Sequence, residues 1–210
     1  MIYQGLMQIA DPGMDKNVVL ANGNGQLSVG LDSMDGSSNV IMTKSAATMV
    51  GGANAVGIPD NGFFPANNDH PDVQLLANNN NDGKKNARIL VKAGSFNVPL
   101  VQRTWKQIQL YAISTEGAST VVVTLNYQDG TSDQTTVTIK DWYNHPAGAG
   151  QFYLIDGLDR YSIANNKYDP ARTPGMVGWN LNINPNKVTT SFDVQLQNGG
   201  WLVYFGAMGQ

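Results

Sequence analysis

The most informative feature of this 210-residue sequence is what it has little of. It contains no cysteine, which excludes a disulfide scaffold, a thiolate nucleophile and a zinc–thiolate site. Glutamate occurs once, at Glu116, against fifteen aspartates, and only 14% of the residues are charged. Strong helix formers are therefore scarce, whereas 23 glycines, 9 prolines and many asparagines favour turns. This composition excludes a helical bundle.

Excess positive charge and long apolar runs are missing as well. The formal net charge is −3, so the chain lacks the long-range attraction for phosphate backbones, and we expect no nucleic-acid partner. The longest apolar stretches, such as residues 201–205, are far shorter than the roughly 20 residues of a membrane span, so we expect no membrane insertion. The N-terminal residues show neither a basic region nor an apolar run, and we expect no signal peptide within this sequence.

Alternation of apolar and polar residues predicts short β-strands separated by Gly, Asn, Asp and Pro. The pattern is clearest at residues 121–127, where every second side chain is apolar. Asp129 and Gly130 then predict a tight hairpin turn into residues 131–140, because Gly tolerates the positive φ of such a turn. Further strands are predicted at residues 18–21, 26–31, 39–43, 73–76, 87–92, 95–100, 106–114, 151–155, 179–183, 192–196 and 201–207.

The predicted strands define the expected fold class. With no helix predicted between them, two packed antiparallel sheets are favoured over a parallel α/β sheet, so we expect an all-β, two-sheet antiparallel β-sandwich. Residues 201–205 are apolar on both faces, which indicates a central strand or a strand against a flat partner. We expect residues 1–55 to form N-terminal strands that belong to or pack on a main sandwich of residues 56–210. Long loops rich in Gly and Asn are predicted at residues 51–72, 78–86, 145–150 and 165–175.

Several short segments, in a fixed order, resemble a known bacterial family. They are IPDNGFFP at residues 58–65, HPDVQL at 70–75, STEGAS at 114–119, LNYQDGT at 125–131, DWY at 141–143 and WLVYFGA at 201–207. This order resembles the non-catalytic, galactose-binding-like β-sandwich modules that accompany secreted bacterial glycosidases and other polysaccharide-degrading enzymes. The resemblance covers residues 58–208. It implies a jelly-roll topology, a carbohydrate-facing role and an extracellular or cell-surface location.

Aromatic and basic residues in the loops suggest a ligand surface. Residues 141–145 combine a carboxylate, two aromatic rings and an imidazole, a set suited to a sugar because rings cover its C–H face and polar groups bind its hydroxyls. A stretch of tyrosines follows, with Arg160, Lys167 and Arg172 among them. The alternative interpretation is that these rings are core or loop-packing residues. The predicted ligand residues are Tyr143, His145, Tyr153, Arg160, Tyr161 and Tyr168.

Loop carboxylates suggest a structural calcium site. Asp60, Asp69 and Asp72, with Asn61 and the run at residues 78–82, supply the hard oxygen ligands that Ca²⁺ prefers. The spacing does not match an EF-hand, and Asp and Asn are also the ordinary residues of turns. The sequence is therefore compatible with a calcium site and with ordinary Asp and Asn turns.

Catalytic motifs are sparse, and we expect a protein that is not an enzyme. Both histidines, His70 and His145, precede a proline, and no His-x-x-x-His, Gly-x-Ser-x-Gly or phosphate-binding loop occurs. A glycosidase needs two carboxylates about 5 to 10 Å apart, for which Asp156 and Asp159 are the candidates. A lyase with Tyr143 or His145 as its base is a further alternative.

Two functions follow from these observations. The first is a non-catalytic carbohydrate-binding or adhesion module that recognises a polysaccharide or a surface glycan. The second is a structural assembly protein, such as a filament, surface-layer or virion subunit. Uncharged Asn- and Gln-rich faces with little repulsion between copies favour this second reading and self-association, as does the strand at residues 201–205 with two apolar faces.

Overall fold

The computed structural model describes residues 6–23, 26–27, 31–76 and 85–210. Strands dominate these ranges, and the predicted all-β class is confirmed. The elements in chain order are β1 Met7–Ile9, β2 Val19–Leu20, β3 Asn22–Gly23, β4 Gln26–Leu27, β5 Asn39–Met42, α1 Lys44–Gly51, β6 Phe63–Phe64, β7 Val73–Gln74, β8 Arg88–Leu90, β9 Gly94–Thr104, β10 Ile108–Tyr127, β11 Ser132–Ile139, β12 Gln151–Ile155, β13 Arg160–Ser162, β14 Lys167–Asp169, β15 Met176–Asn180 and β16 Val188–Gly209.

Two long strands form the spine of an eight-stranded sheet. The 20-residue β10 and the 22-residue β16 pair antiparallel along almost their whole length. On the far side of β10 lie β15 and then β12 beside its first half, and β11 beside its second half. On the far side of β16 lie β9, β8 and β1, in that order along the strand. The strands that flank β10 and β16 therefore differ between the first and second halves of the spine.

A bend in both spine strands separates the two halves of this sheet. The pairing register breaks between Thr115 and Ser119, where Glu116 and Gly117 have φ of 59° and 108°. Opposite them, Gly199 has φ of 99°, and a Cβ there would meet the carbonyl oxygen of Ala118 at 2.0 Å. Only glycine fits such a position, because both the positive φ and the close approach exclude a side chain.

Both halves of the bent sheet contribute to one apolar cluster, which we call the inner cluster. Val121, Val123 and Leu125 enter it from the second half of β10, as the alternation at residues 121–127 predicts. The predicted hairpin to residues 131–140 is confirmed, with Gly130 at φ of 82°. From the first half of the spine the cluster receives residues such as Leu110. A curled sheet thus closes over its own core.

The opposite face of the first half of the spine is covered by a second layer. We call it the N-terminal layer because β2 and β5 belong to it, although β13 and β14 complete its sheet. This layer contains a four-stranded sheet in the order β14, β13, β5, β2, in which β5 and β2 run parallel and the other pairs antiparallel. Together they form a second apolar cluster, the outer cluster, in which Ile41 and Met42 of β5 pack with Phe205 of β16. All four residues of β5 are buried.

The strand around residues 201–205 occupies the central position that its two apolar faces predict. Leu202 and Tyr204 belong to the inner cluster, and Val203 and Phe205 to the outer cluster. Each of these four side chains is 1% exposed or less. The chain itself therefore covers both faces of this strand, which does not offer a patch to another subunit.

The helix α1 is an element that the sequence interpretation missed. It begins after Thr43 and ends where the N–H of Gly52, at φ of 82°, donates to the carbonyl of Thr48 at 2.9 Å. The expectation that no helix lies between the strands was wrong, since two turns built on Ala46 and Ala47 are too short to show a helical period. No helix in the described ranges is long and apolar enough to cross a membrane.

Several predicted loops also contain short strands. β6 lies within the predicted loop at residues 51–72, and β14 lies within the one at 165–175. These strands have two or three residues each, too few for an alternating pattern to stand out. Part of the predicted strand at 26–31 and most of the predicted loop at 78–86 lie outside the described residues.

Candidate functional site

A polar groove lies on the N-terminal layer, along β5, β13 and β14. The register of these strands places Ser162 opposite Lys167 and Asn39, and Arg160 opposite Asp169. The groove has a volume of about 560 Å³. We call it the Arg160 groove, and its lining residues are Ser37, Asn39, Arg160, Ser162, Asn165, Lys167, Tyr168, Asp169 and Pro170.

Arg160 is held at this groove by two carboxylates. Its Nε donates to Asp169 at 3.0 Å, and its Nη1 lies 3.8 Å from the buried Asp35. Asp35 also accepts hydrogen bonds from the backbone N–H and the side-chain amide of Asn39, both at 2.9 Å. The two carboxylates fix the orientation of the guanidinium, because its planar N–H groups donate in set directions.

Tyr143 lies beneath Arg160 and contributes a ring rather than a hydroxyl to this region. The guanidinium carbon is 4.7 Å from the centre of the ring, which is a cation–π contact. The edge of the ring packs against Trp142 with 5.7 Å between ring centres. The hydroxyl is buried without a hydrogen-bond partner in the described chain, and burial raises the pKa of Tyr143 to about 12.

Tyr161 follows Arg160 in β13 and points to the opposite face, because adjacent residues of a strand point to opposite faces, and Tyr168 is its cross-strand partner. Tyr161 is 7% exposed and belongs to the outer cluster, with its hydroxyl bonded to Asn166. Tyr168 is half-buried and lines one side of the groove, while its hydroxyl donates to Asp159 at 2.7 Å. Burial and this bond to Asp159 raise the pKa of Tyr168. Of these two tyrosines, only Tyr168 reaches the groove.

Asp159 joins the N-terminal layer to the loop that follows β14. It is fully buried, and one oxygen accepts from the backbone N–H of Val56 at 2.6 Å as well as from Tyr168. The other oxygen lies 2.8 Å from Nε of Arg172, which is half-exposed. Asp159 thus ties three segments together, and its oxygens are shielded from any ligand in solution.

His145 and Tyr153 form a separate cluster with Asp156. The Nδ1 of His145 lies 3.0 Å from the hydroxyl of Tyr153 and 3.4 Å from a carboxylate oxygen of Asp156. Its Nε2 lies 2.7 Å from the carbonyl of Thr173, which accepts and so assigns the ring proton to Nε2. The two rings stack with centres 5.2 Å apart. This cluster contains two of the predicted ligand residues, but neither of them lines the Arg160 groove.

Two of the three carboxylates that suggested calcium, those of Asp60 and Asp72, accept hydrogen bonds from nearby residues. Asp60 accepts from both the backbone N–H and the hydroxyl of Ser45 at the start of α1, at 2.9 and 2.6 Å. Asp72 accepts from the N–H of Ala66 at 2.7 Å, and Asp69 is exposed. The described residues contain no group of three or more His, Asp or Glu arranged for a metal. The run at residues 78–82 lies outside the described ranges.

The sequence interpretation missed the polar residues that complete the Arg160 groove. Asn39 and Ser162 come from strands of three or four residues, and Asn165 follows Ser162 in a tight turn. The one local signal was the spacing of Asp35 and Asn39, which bond to each other across four residues. Their meeting with Arg160 depends on strand pairing between β5 and β13, which local sequence does not reveal.

Comparison with known proteins leaves the family of this chain undefined. No family model matches it, and no curated protein is similar to it in sequence. The resemblance to galactose-binding-like modules therefore stays a prediction.

Proposed function

We propose that the protein is a non-catalytic carbohydrate-binding module and that the Arg160 groove is its glycan site. The observation that carries the proposal is the groove itself, an open space of about 560 Å³ lined by hydroxyl, amide and charged side chains on a paired sheet. The likeness to galactose-binding-like modules of jelly-roll topology supports the same assignment. An extracellular or cell-surface location belongs to this proposal.

The groups at the groove suit the hydroxyl-rich surface of a sugar. Lys167 and Asn165 are exposed, and Lys167 makes no ion pair with any described residue. Ser162 and Asp169 add hydroxyl and carboxylate oxygens, and Tyr168 also lines the groove. Sugars bind where a few fixed polar groups give their hydroxyl groups directional partners.

A glycan array followed by titration tests the proposal. We expect binding of at least one polysaccharide or surface glycan, and about tenfold weaker binding for Lys167→Ala and for Asn165→Ala, each of which removes a polar contact. Both side chains are exposed, so the fold should remain intact by circular dichroism. Lys92→Ala is the matched control, because Lys92 is exposed and does not line the groove. Absence of binding to any glycan contradicts the proposal.

Tyr153→Ala locates the site. Tyr153 belongs to the His145 cluster, so its loss should leave glycan affinity unchanged if the Arg160 groove is the site. A loss of binding with Tyr153→Ala but not with Lys167→Ala would move the site to the His145 cluster.

A structural calcium ion remains part of the proposal at the loop carboxylates. If Ca²⁺ pins Asp60, Asp69 or Asp72, then excess calcium raises the melting temperature and a chelator lowers it. Superimposable thermal scans would reject the metal and leave Asp60 as a cap of α1, where it binds the N–H of Ser45.

Structural assembly is the second proposal, favoured by the uncharged outer side chains of β11. Ser132, Gln134, Thr136 and Thr138 are all exposed there, so copies would repel one another little. Edge-to-edge pairing is hindered, however, because the carbonyls of Gln134 and Thr138 already accept bonds from the side chains of other segments. Light scattering after size-exclusion chromatography decides, since a clean monomer at high concentration contradicts assembly.

A further inference from the structure

An apolar groove lies on the far side of β16 from β10, between β1 and β9. Its volume is about 780 Å³, within the range of ligand pockets, and it is separate from the Arg160 groove. We call it the Arg103 groove. Its lining includes Met7, Ile9, Leu100, Val101, Arg103 and Trp105.

Unburied aliphatic surface at this groove is unusual for the chain. Met7 is 48% exposed and Val101 is 74% exposed, while Ile9, Leu100 and Trp105 belong to the inner cluster. The groove therefore borders the inner cluster at one edge of the curled sheet. An apolar ligand there would extend the core.

Two buried hydrogen-bond donors beside the groove have no acceptor in the described chain. The guanidinium of Arg103 stacks on the ring of Trp105, with 3.8 Å from its central carbon to the ring centre. Its Nε and the Nε1 of Trp105 are both buried, and neither finds a hydrogen-bond partner in the described chain. Within those ranges Arg103 also has no ion pair with a carboxylate. Atoms without accessible surface cannot contact a ligand in the open groove, so a ligand there binds the Nη groups of Arg103, for which no described residue is an acceptor.

The other charges at the groove are already balanced. Asp11 lines it too, but its carboxylate is almost fully buried and accepts from Nε of Arg88 at 2.8 Å. Arg103 is thus the uncompensated charge among the described lining residues. The guanidinium stacks on Trp105 through one face, so its Nη groups lie in the plane beside the ring, where both can donate to one carboxylate.

We propose that the Arg103 groove binds a long-chain monocarboxylate. The alkyl chain lies along Met7, Leu100 and Val101, and the carboxylate accepts from Arg103. The single positive charge of Arg103 matches the single negative charge of a monocarboxylate, and the aliphatic side chains of the groove match the alkyl chain of the ligand. The proposal is independent of the glycan site.

Isothermal titration with dodecanoate below its micelle concentration tests the proposal, with dodecanol and acetate as probes of each half of the ligand. We expect saturable one-site binding of dodecanoate, about tenfold weaker binding of dodecanol and none of acetate, because both the charge and the chain contribute. Arg103→Met should weaken dodecanoate about tenfold and leave dodecanol unchanged.

A second pair of variants keeps the proposal falsifiable if Arg103→Met fails to fold. Val101→Asp places a negative charge on an exposed groove residue and should weaken dodecanoate binding. Val91→Asp is the matched control, since Val91 is 51% exposed and lies outside the groove lining, and it should have no effect.

Three results would overturn the proposal. The first is failure of the wild-type protein to bind dodecanoate, and the second is equal affinity for dodecanoate and dodecanol. The third is a dimer in light scattering that Val101→Asp, but not Val91→Asp, converts to a monomer. That result would assign the groove to a second copy of the chain.

Discussion

The bent sheet and the N-terminal layer are held together in different ways. In the bent sheet, β10 and β16 pair over most of their 20 and 22 residues, and alternating side chains fill the inner cluster. In the N-terminal layer no strand exceeds four residues, and buried carboxylates connect the segments. Asp35 and Asp159 each bind backbone N–H groups and an arginine there.

The difference shows which interactions stabilise the backbone in each region. Long ladders satisfy their own backbone groups, and the polar side chains buried in the strands of the bent sheet, such as Gln109, Ser114 and Thr189, are uncharged. Short strands leave many N–H and C=O groups unpaired, and buried carboxylates can accept several such N–H groups at once. The N-terminal layer should therefore be sensitive to the loss of one carboxylate, and the bent sheet to a change in its geometry.

The largest effect is expected for Asp159→Ala in the N-terminal layer. This change leaves the N–H of Val56, the hydroxyl of Tyr168 and the half-exposed Arg172 without their partner. We expect a loss of about 3 to 4 kcal/mol of unfolding free energy, since each buried donor left unpaired costs about 1 to 3 kcal/mol. Urea denaturation measures the loss, and hydrogen exchange should increase first around Val56 and β14.

Asp193→Ala in the bent sheet is the control for that comparison. Asp193 is only half-buried and accepts from the side chains of Asn97 and Asn126, at 2.9 and 2.7 Å. We expect a loss of about 1 kcal/mol for Asp193→Ala, as for ordinary hydrogen bonds. Equal losses at Asp159 and Asp193 would contradict the distinction between the regions.

For Gly199→Ala at the bend of the sheet, we expect an effect smaller than that of Asp159→Ala and larger than that of the control Asp193→Ala. The new Cβ would lie 2.0 Å from the carbonyl oxygen of Ala118, in a residue with φ of 99°, so the backbone must shift. We expect a loss of about 2 to 3 kcal/mol, measured by thermal unfolding. Gly130→Ala is the control, since φ is also positive there but no atom lies within 4 Å of the new Cβ. A loss at Gly199 no larger than at Gly130 would show that the close approach does not matter.

The smallest effect is expected for Tyr143→Phe, beside Arg160. The change removes a buried hydroxyl without a hydrogen-bond partner in the described chain, so stability should rise by up to about 1 kcal/mol at neutral pH. The pKa of Tyr143 is raised to about 12 in the folded state from an ordinary value of 10.0. This group therefore leaves wild-type stability independent of pH below 10, and the stability falls as the pH rises from 10 through 12, because the unfolded chain loses the Tyr143 proton before the folded chain does.

Denaturation at pH 8 and pH 11 measures this pH dependence. The advantage of Tyr143→Phe over the wild type should grow between the two values, because phenylalanine has no proton to lose. A constant difference would mean that the Tyr143 hydroxyl reaches solvent in the folded protein.

The all-β class and most strands of the bent sheet were determined by local sequence. The strand β1 was not predicted, and β10 and β16 were each predicted as two separate strands. The alternation at residues 121–127 and the turn at Gly130 predicted the β10–β11 hairpin because both signals lie within a few residues of each other. The two apolar faces of residues 201–205 likewise indicated a central strand, and the structure places them between the two clusters.

Only the tertiary structure decided which polar residues meet. Tyr143, His145, Tyr153, Arg160, Tyr161 and Tyr168 lie within 26 residues of sequence, yet they divide among a groove, a histidine cluster and the core. Within β13, Arg160 and Tyr161 differ in environment because successive side chains point to opposite faces. The partners of Arg160 come from β5 and β14, and those of Asp159 lie up to 103 residues away, so only long-range pairing could bring them together.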